Sequence, residues 1–234
     1  MILEVNGLEA GYGVSTVLHG IDLVVQEGEG VVVLGPNGHG KTTLLRTISG
    51  LNRPRAGSLR FDGVDVTGWR ADQIAEAGLV HIPQGDLLFR EMTVEDNLLM
   101  GAYVKPTWGE RQERLARVYE LLPTLKDRRK QLANSLSGGE RRMVAIGRGL
   151  MAEARLLMVD EPSLGLAPVI IAQVYERIQA IKESGLAVLL ADENADHIEQ
   201  LADRVVLLES GLFVREGPAE TLLADEALLS AYLG

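Results

Sequence analysis

The chain has 234 residues, with 33 acidic and 23 basic side chains and a formal net charge of −10. That length fits one large α/β domain or two small ones. The acidic balance excludes a nucleic-acid binder with a uniformly cationic surface, and the absence of cysteine excludes disulfides, zinc–thiolate sites and a thiol nucleophile.

In chain order, Leu3–Val5 and Ile21–Val25 alternate like half-buried strands, and Phe61-Asp62-Gly63-Val64 is a tight-turn signal inside the strand-like stretch Ser58–Val66. The first part therefore reads as β-rich. Gly30–Leu34 and Leu156–Val159 differ from these, because they are continuous aliphatic runs of the kind covered on both faces in a parallel sheet. A helical run at Thr42–Ser49, closed by Gly50, follows the first of them. From Thr93 to Glu153 the chain is rich in Arg, Glu and Leu at helical spacing, which predicts a helical insertion. A helix over Val169–Ser184 then leads to aliphatic runs at Leu186–Leu190 and Val205–Leu208. Strand–helix–strand alternation of this kind predicts a parallel α/β core.

No apolar run approaches the roughly 20 residues needed to span a bilayer, and Met1–Asn6 lacks the features of a signal peptide. The expectation is a soluble cytoplasmic protein whose membrane contact comes through a partner.

The chemistry is concentrated in three motifs. Gly35-Pro36-Asn37-Gly38-His39-Gly40-Lys41-Thr42 satisfies G-x-x-x-x-G-K-[ST] between a strand and a helix, the context this phosphate loop requires. Backbone N–H groups and the helix dipole face phosphate, Lys41 reaches the β/γ oxygens, and Thr42 offers its hydroxyl to Mg²⁺. Leu156–Val159 ends in Asp160 and Glu161: the first can hold the Mg²⁺ shell, and the second can polarise an attacking water. In Leu136-Ser137-Gly138-Gly139-Glu140, Ser137 and Glu140 fit a helix capping box, which leaves the two glycines unexplained. A helix start stripped of side chains is also a phosphate-facing surface, and a second one in the chain implies a second molecule.

Together these motifs resemble the nucleotide-binding subunit of ABC (ATP-binding cassette) transporters, and the resemblance covers the whole chain. It implies a P-loop NTPase fold: a RecA-like parallel sheet core (residues 1–87 and 156–234) with an antiparallel β subdomain, and an inserted α-helical subdomain at about 88–155. It implies ATP and Mg²⁺ as ligands and a head-to-tail dimer in which Ser137, Gly138, Gly139 and Glu140 act in trans on the partner's nucleotide. Gly35 through Thr42, together with Thr43, would hold the nucleotide, with Tyr12 of Gly11-Tyr12-Gly13 stacking on adenine. Gln84 in Ile82-Pro83-Gln84-Gly85 resembles the glutamine that touches Mg²⁺ and leads into the helical region, in a loop that senses the membrane subunit. Permease subunits, a second ATPase subunit (identical or related) and, indirectly, a solute-binding protein are the implied partners, at the cytoplasmic face of the membrane and without nucleic acid.

Within the family, Asp160-Glu161-Pro162-Ser163-Leu164-Gly165-Leu166-Ala167-Pro168 resembles the branched-chain amino-acid (Liv-type) import ATPases and their urea and amide relatives. Thr42–Gly50 and Met92–Leu98 point the same way, and the close at Tyr232-Leu233-Gly234 implies no added regulatory domain. One departure stands out. Most relatives place a histidine against the γ-phosphate after the strand Leu186–Leu190, where this chain has Glu193. That glutamate is protonated by its neighbours, turned away, or a brake on hydrolysis, and with Asp160, Glu161 and Asp192 it is expected to cluster acidic charge around one phosphate. His197, one helical turn further on, is a candidate substitute, with a solvated helix histidine as the alternative. His39 is expected to be exposed. A dimerising module with weak hydrolysis, and the ATPase of a lipid exporter or another ABC system, remain as alternative readings.

Overall fold

The computed structural model describes residues 1–103, 108–225 and 232. The parts of the predicted regions at 104–107, 226–231 and 233–234, including the Leu233-Gly234 close, lie outside the described residues.

The β-rich first part forms a four-stranded antiparallel sheet in the order β2-β1-β4-β5, from β1 (Leu3–Tyr12), β2 (Ser15–Val25), β4 (Ala56–Phe61) and β5 (Val64–Asp65). Asp62 and Gly63 both have positive φ, at 50° and 74°, which gives the primed two-residue turn that matches strand twist. A second sheet contains β3 (Gly30–Leu34), β6 (Leu79–Ile82), β7 (Leu156–Asp160), β8 (Ala187–Asp192), β9 (Arg204–Glu209) and β10 (Leu212–Pro218). Its order is β10-β9-β3-β8-β7-β6, parallel from β9 to β6 with β10 antiparallel at one edge.

The continuous aliphatic runs are explained by alternation between two cores. Val31 and Val33 of β3 pack with the antiparallel sheet and with Leu44, Leu45 and Ile48 of α1 (Lys41–Ile48). Val32 and Leu34 point the other way, into a core shared with the helices. Leu156 and Met158 of β7 follow the first pair, and Leu157 and Val159 the second. Each such side chain contributes about 1.5–3 kcal/mol when buried, so both faces of the central sheet must be aliphatic.

The helical stretch comprises α3 (Val94–Gly101), α4 (Arg111–Leu121), α5 (Pro123–Asp127) and α6 (Gly138–Leu150). Two short helices, α2 (Ala71–Glu76) and α8 (Ala219–Leu223), flank the sheets, and α7 (Pro168–Glu183) covers the helical side. Among the described residues no helix is long and apolar enough to cross a membrane.

Two strands escape the sequence reading. β6 is four residues long with His81 interrupting its buried aliphatic side chains, and β10 lies at the sheet edge with mostly exposed ones, so neither shows a continuous aliphatic run. The register then places the chemistry. Leu34 pairs with Asp192, and Asp160 pairs with Ala191, so three strands end at one edge of the sheet. The phosphate loop, Asp160-Glu161 and Glu193 all leave from that edge, where ligands gather in open α/β sheets.

Candidate nucleotide site

The phosphate loop ends at Gly40, whose φ of 112° is open to glycine and strained for other residues. It occupies the N-cap position of α1, and no side chain caps that helix. The leading N–H groups of a helix have no partner within it, so this start is a bare anion cradle. Lys41 is 3% exposed and folds back on the loop. Its Nζ donates to the carbonyls of Gly35 (2.7 Å) and Pro36 (3.2 Å) and lies 3.3 Å from Glu161 Oε1. Thr43 points inward, and its carbonyl accepts from the Thr47 hydroxyl at 2.7 Å.

Two carboxylates face this loop. Thr42 Oγ1 donates to Asp160 Oδ1 at 3.2 Å, while Asp160 Oδ2 is buried and has no hydrogen-bond partner among the described residues. Burial pushes the Asp160 carboxyl up to about 6, reinforced by the Glu161 charge and opposed by the Thr42 hydrogen bond. A hydroxyl beside a carboxylate with a free oxygen is the hard donor set that suits Mg²⁺. Glu161 is 6% exposed and sits at a φ of 45°, with its N–H held by the Ala191 carbonyl at 2.8 Å. A left-handed glutamate costs about 1–3 kcal/mol and persists where neighbours over-determine it. Gln84 Nε2 donates to Glu161 Oε2 at 2.9 Å.

Asp192 was grouped by sequence with the acids around the phosphate, and the structure corrects that. Both its oxygens accept from the Ser163 hydroxyl (3.0 and 2.9 Å), and Tyr175 and the Glu193 N–H also donate to it. Its charge is spent on tying the loop after Glu161 to the loop carrying Glu193. Glu193 itself is exposed but not turned away, because its Oε2 accepts from Asn37 Nδ2 of the phosphate loop at 2.7 Å.

Both histidine expectations change. No helix links Glu193 to His197; His197 lies in a turn with φ of 68°, its ring 6.1 Å from that of Tyr175. The four-residue spacing therefore carries no helical meaning there. His39 is half-buried rather than exposed, its Nδ1 accepting from the Ser210 N–H at 3.1 Å and its carbonyl from Gly211 at 3.0 Å. It fastens the phosphate loop to the β9–β10 turn. Tyr12 ends β1 and is 47% exposed, in a hairpin pinned by Arg55 through Gly13 O and Thr16 Oγ1, both at 2.8 Å.

Ser137–Glu140 forms a separate cluster. Ser137 caps α6, and Glu140 returns the bond to the Ser137 N–H at 2.8 Å while pairing with Arg128 at 2.7 Å. The two glycines have a packing role that the capping box leaves out: a Cβ on Gly139 would lie 2.2 Å from Ile170 Cγ2, and one on Gly138 3.0 Å from Leu166 Cδ2.

Comparison with known proteins decides the family. The model described as "ABC transporter" matches residues 18–164. The chain belongs to the ABC transporter ATP-binding family. It is 39% identical, over the full length of both chains, to the high-affinity branched-chain amino acid transport ATP-binding protein BraG of Pseudomonas aeruginosa. It is also 32% identical to the lipopolysaccharide export system ATP-binding protein LptB of Haemophilus influenzae, covering 100% of this chain and 97% of the relative. Among solved structures, the ADP conformation of MJ1267, an ATP-binding cassette of an ABC transporter, superposes with a TM-score of 0.87 at 26% identity, covering 100% and 98% of the two chains. This ABC cassette is accordingly an ATPase subunit, with the mixed parallel and antiparallel sheets of its family.

The sequence reading missed Arg142. It is 3% exposed on α6 and donates to the carbonyls of Pro83 and Glu161. A signal for it was present: Gly139, Arg142, Ile146 and Gly149 fall at helical spacing on one buried stripe, where an arginine is out of place.

Proposed function

We propose that this subunit energises the import of branched-chain amino acids or related amides, working as a head-to-tail dimer beneath permease subunits at the cytoplasmic face of the membrane. The observation that carries the ATPase chemistry is the meeting of Lys41, Thr42, Gln84, Asp160 and Glu161 at the bare start of α1. Import is favoured by the Ser163–Pro168 loop and by the full-length identity to BraG, which exceeds that to LptB.

On this reading ATP takes the loop from Gly35 to Thr43, with Tyr12 against the adenine. Lys41 exchanges the carbonyls of Gly35 and Pro36, and Glu161, for phosphate oxygens. Thr42, Asp160 and Gln84 would hold Mg²⁺, which supplies charge neutralisation at the β and γ oxygens when bound. Released from Lys41, the Glu161 carboxylate takes a proton from the attacking water. The water oxygen bonds to the γ-phosphorus as the bond to the β-phosphate oxygen breaks, leaving ADP and phosphate. Gln84 keeps the Glu161 carboxylate aimed, and the partner's Ser137–Glu140 segment closes over the γ-phosphate. Beyond Gln84, the exposed Leu87, Phe89 and Tyr103 line a groove of about 460 Å³ that would receive a permease helix.

Glu161→Gln tests this reading. The variant should bind ATP, dimerise with it and lose Mg-dependent turnover; retained turnover overturns the assignment of Glu161. The solute is tested by co-purifying the permease subunits and measuring which amino acid, with its binding protein, stimulates turnover. A stimulation by lipopolysaccharide instead would move the chain to export.

The Asn37–Glu193 contact favours a second reading, a nucleotide-gated dimer with slow hydrolysis, because it sets a carboxylate at the mouth of the phosphate loop. That reading requires faster turnover in Glu193→Gln and fails if the unmodified chain already matches the substituted one.

A further inference from the structure

Helix α6 carries a charge where its packing calls for an apolar or small side chain. Arg142 lies on the buried stripe with Gly139, Ile146 and Gly149, one turn and a half from Ser137. Its guanidinium reaches two backbone carbonyls, Nη1 to Pro83 O and Nη2 to Glu161 O, each at 3.4 Å. Its Nε stands 3.9 Å from Asp86 Oδ1 and makes no hydrogen bond among the described residues. The other Asp86 oxygen accepts from Arg141 Nε at 3.0 Å.

The two carbonyls belong to the segments that carry the proton-handling pair. Pro83 precedes Gln84, Glu161 is the second carbonyl's own residue, and the Gln84 and Glu161 side chains bond each other at 2.9 Å. One buried fork thus spans both ends of that pair. It holds them loosely, with long bonds and an unused donor. A buried guanidinium left under-satisfied marks a group with room to tighten when its surroundings move. Arg141 and Arg148 of the same helix extend the grip along the loop after Gln84, through Asp86 and the carbonyl of Leu87 at 2.9 Å. A helix transmits displacement of its first turn along its axis, because its hydrogen bonds run parallel to that axis.

We propose that Arg142 is a positioning residue that couples the Ser137–Glu140 end of α6 to the Gln84–Glu161 pair of the same subunit. Engagement of the partner's nucleotide at that end then sets the subunit's own hydrolytic geometry. The inference rests on the trans role proposed above for Ser137–Glu140.

The test uses the full chain and four substitutions. Glu161→Gln alone reports ATP-driven dimerisation by light scattering; failure to dimerise overturns the trans reading and this inference with it. Given dimerisation, Arg142→Met should lower kcat about tenfold to a hundredfold. The KM for ATP should stay within about twofold, with Mg-ADP affinity unchanged, because the residue touches no phosphate-holding group. Cooperativity in ATP should fall to a Hill coefficient of about one. Arg142→Met in the Glu161→Gln background should still dimerise. Arg142→Gln, which keeps donors for both carbonyls, should recover part of kcat, whereas Arg142→Lys, a point charge without the fork, should not. An Arg142→Met chain with unaltered kcat and cooperativity overturns the proposal. So does a loss of kcat matched by equal losses in KM, ADP affinity and melting temperature, which would be the mark of a purely structural arginine.

Discussion

Helices α1 and α6 both start at a glycine, Gly40 at the N-cap of one and Gly138 in the first turn of the other, and yet are finished in opposite ways. The start of α1 has no side-chain cap and no acid in its first turn. The start of α6 is closed by Ser137 and Glu140, which satisfy each other's N–H groups, and it carries an acid at the third position. The first start leaves its donors for a ligand within the same subunit, with Lys41 held in reserve among carbonyls. The second has its own donors partly satisfied, so it offers a shaped surface whose glycines fit against Ile170 and Leu166. A glycine-rich helix start is therefore not one kind of feature. The difference lies in who supplies the missing acceptors.

The largest expected effect breaks the α1 side of that comparison. Lys41→Ala removes the cation that the bare cradle needs, and Mg-ATP turnover should fall by at least about a hundredfold, with weakened ATP binding in a titration. The same substitution leaves the α6 cap untouched, so helical content should persist. Residual turnover near the unmodified level would show that the cradle works without its lysine.

Much of this arrangement was legible in the sequence. A strand, eight spaced residues and a helix defined the phosphate loop, because glycine and lysine in that order have few other uses. The helical stretch and the four aliphatic strands were legible for a similar reason, since burial on two faces demands long apolar runs. What stayed hidden were partners rather than motifs. Asp192 looked like one more phosphate-facing acid, and only the fold brings Ser163 and Tyr175 to it. Arg142 belongs to no motif, and only its place on the buried stripe with Gly139, Ile146 and Gly149 marks it. His197 was placed on a helix by spacing, yet its left-handed φ ends any helix there.

The rear of α1 provides the next test. Ser49, its C-terminal cap, bonds His81 Nδ1 at 3.0 Å, and burial pushes the His81 imidazole down to about 4. Folded His81 stays neutral below the pH at which the unfolded imidazole, at 6.5, takes up a proton. Stability is therefore intact above about 6.5 and is lost as the pH falls toward about 4, by a total of about 3 kcal/mol. Urea unfolding across that range should show the loss, and His81→Gln should flatten it. The helix α6 ends instead near Arg148, which does not titrate in this range, so the acid sensitivity belongs to the α1 side.

On the α6 side the leading effect is steric. Gly139→Ala forces a Cβ to within 2.2 Å of Ile170 Cγ2, which should cost about 1–3 kcal/mol in thermal or urea unfolding. Ile170→Ala opens the space, so the double substitution should be less destabilised than the sum of the two single ones. A simple sum would mean that Gly139 is needed for something other than its fit to Ile170.

The smallest effect separates the two starts most cleanly. Ser137→Ala deletes the acceptor for the Glu140 N–H and should cost about 1 kcal/mol of stability, the usual worth of an N-cap. Turnover should fall further than this loss of stability explains if Ser137 also meets the partner's phosphate. The unfolding midpoint and the ATP concentration needed for dimerisation of Glu161→Gln measure the two contributions separately. At α1 the comparable position is Gly40, which offers no side chain to delete, so nothing there trades capping against ligand binding. A Ser137→Ala chain that loses stability but dimerises at the same ATP concentration would make α6 a capped helix and nothing more. The contrast between the two starts would then lie in packing alone.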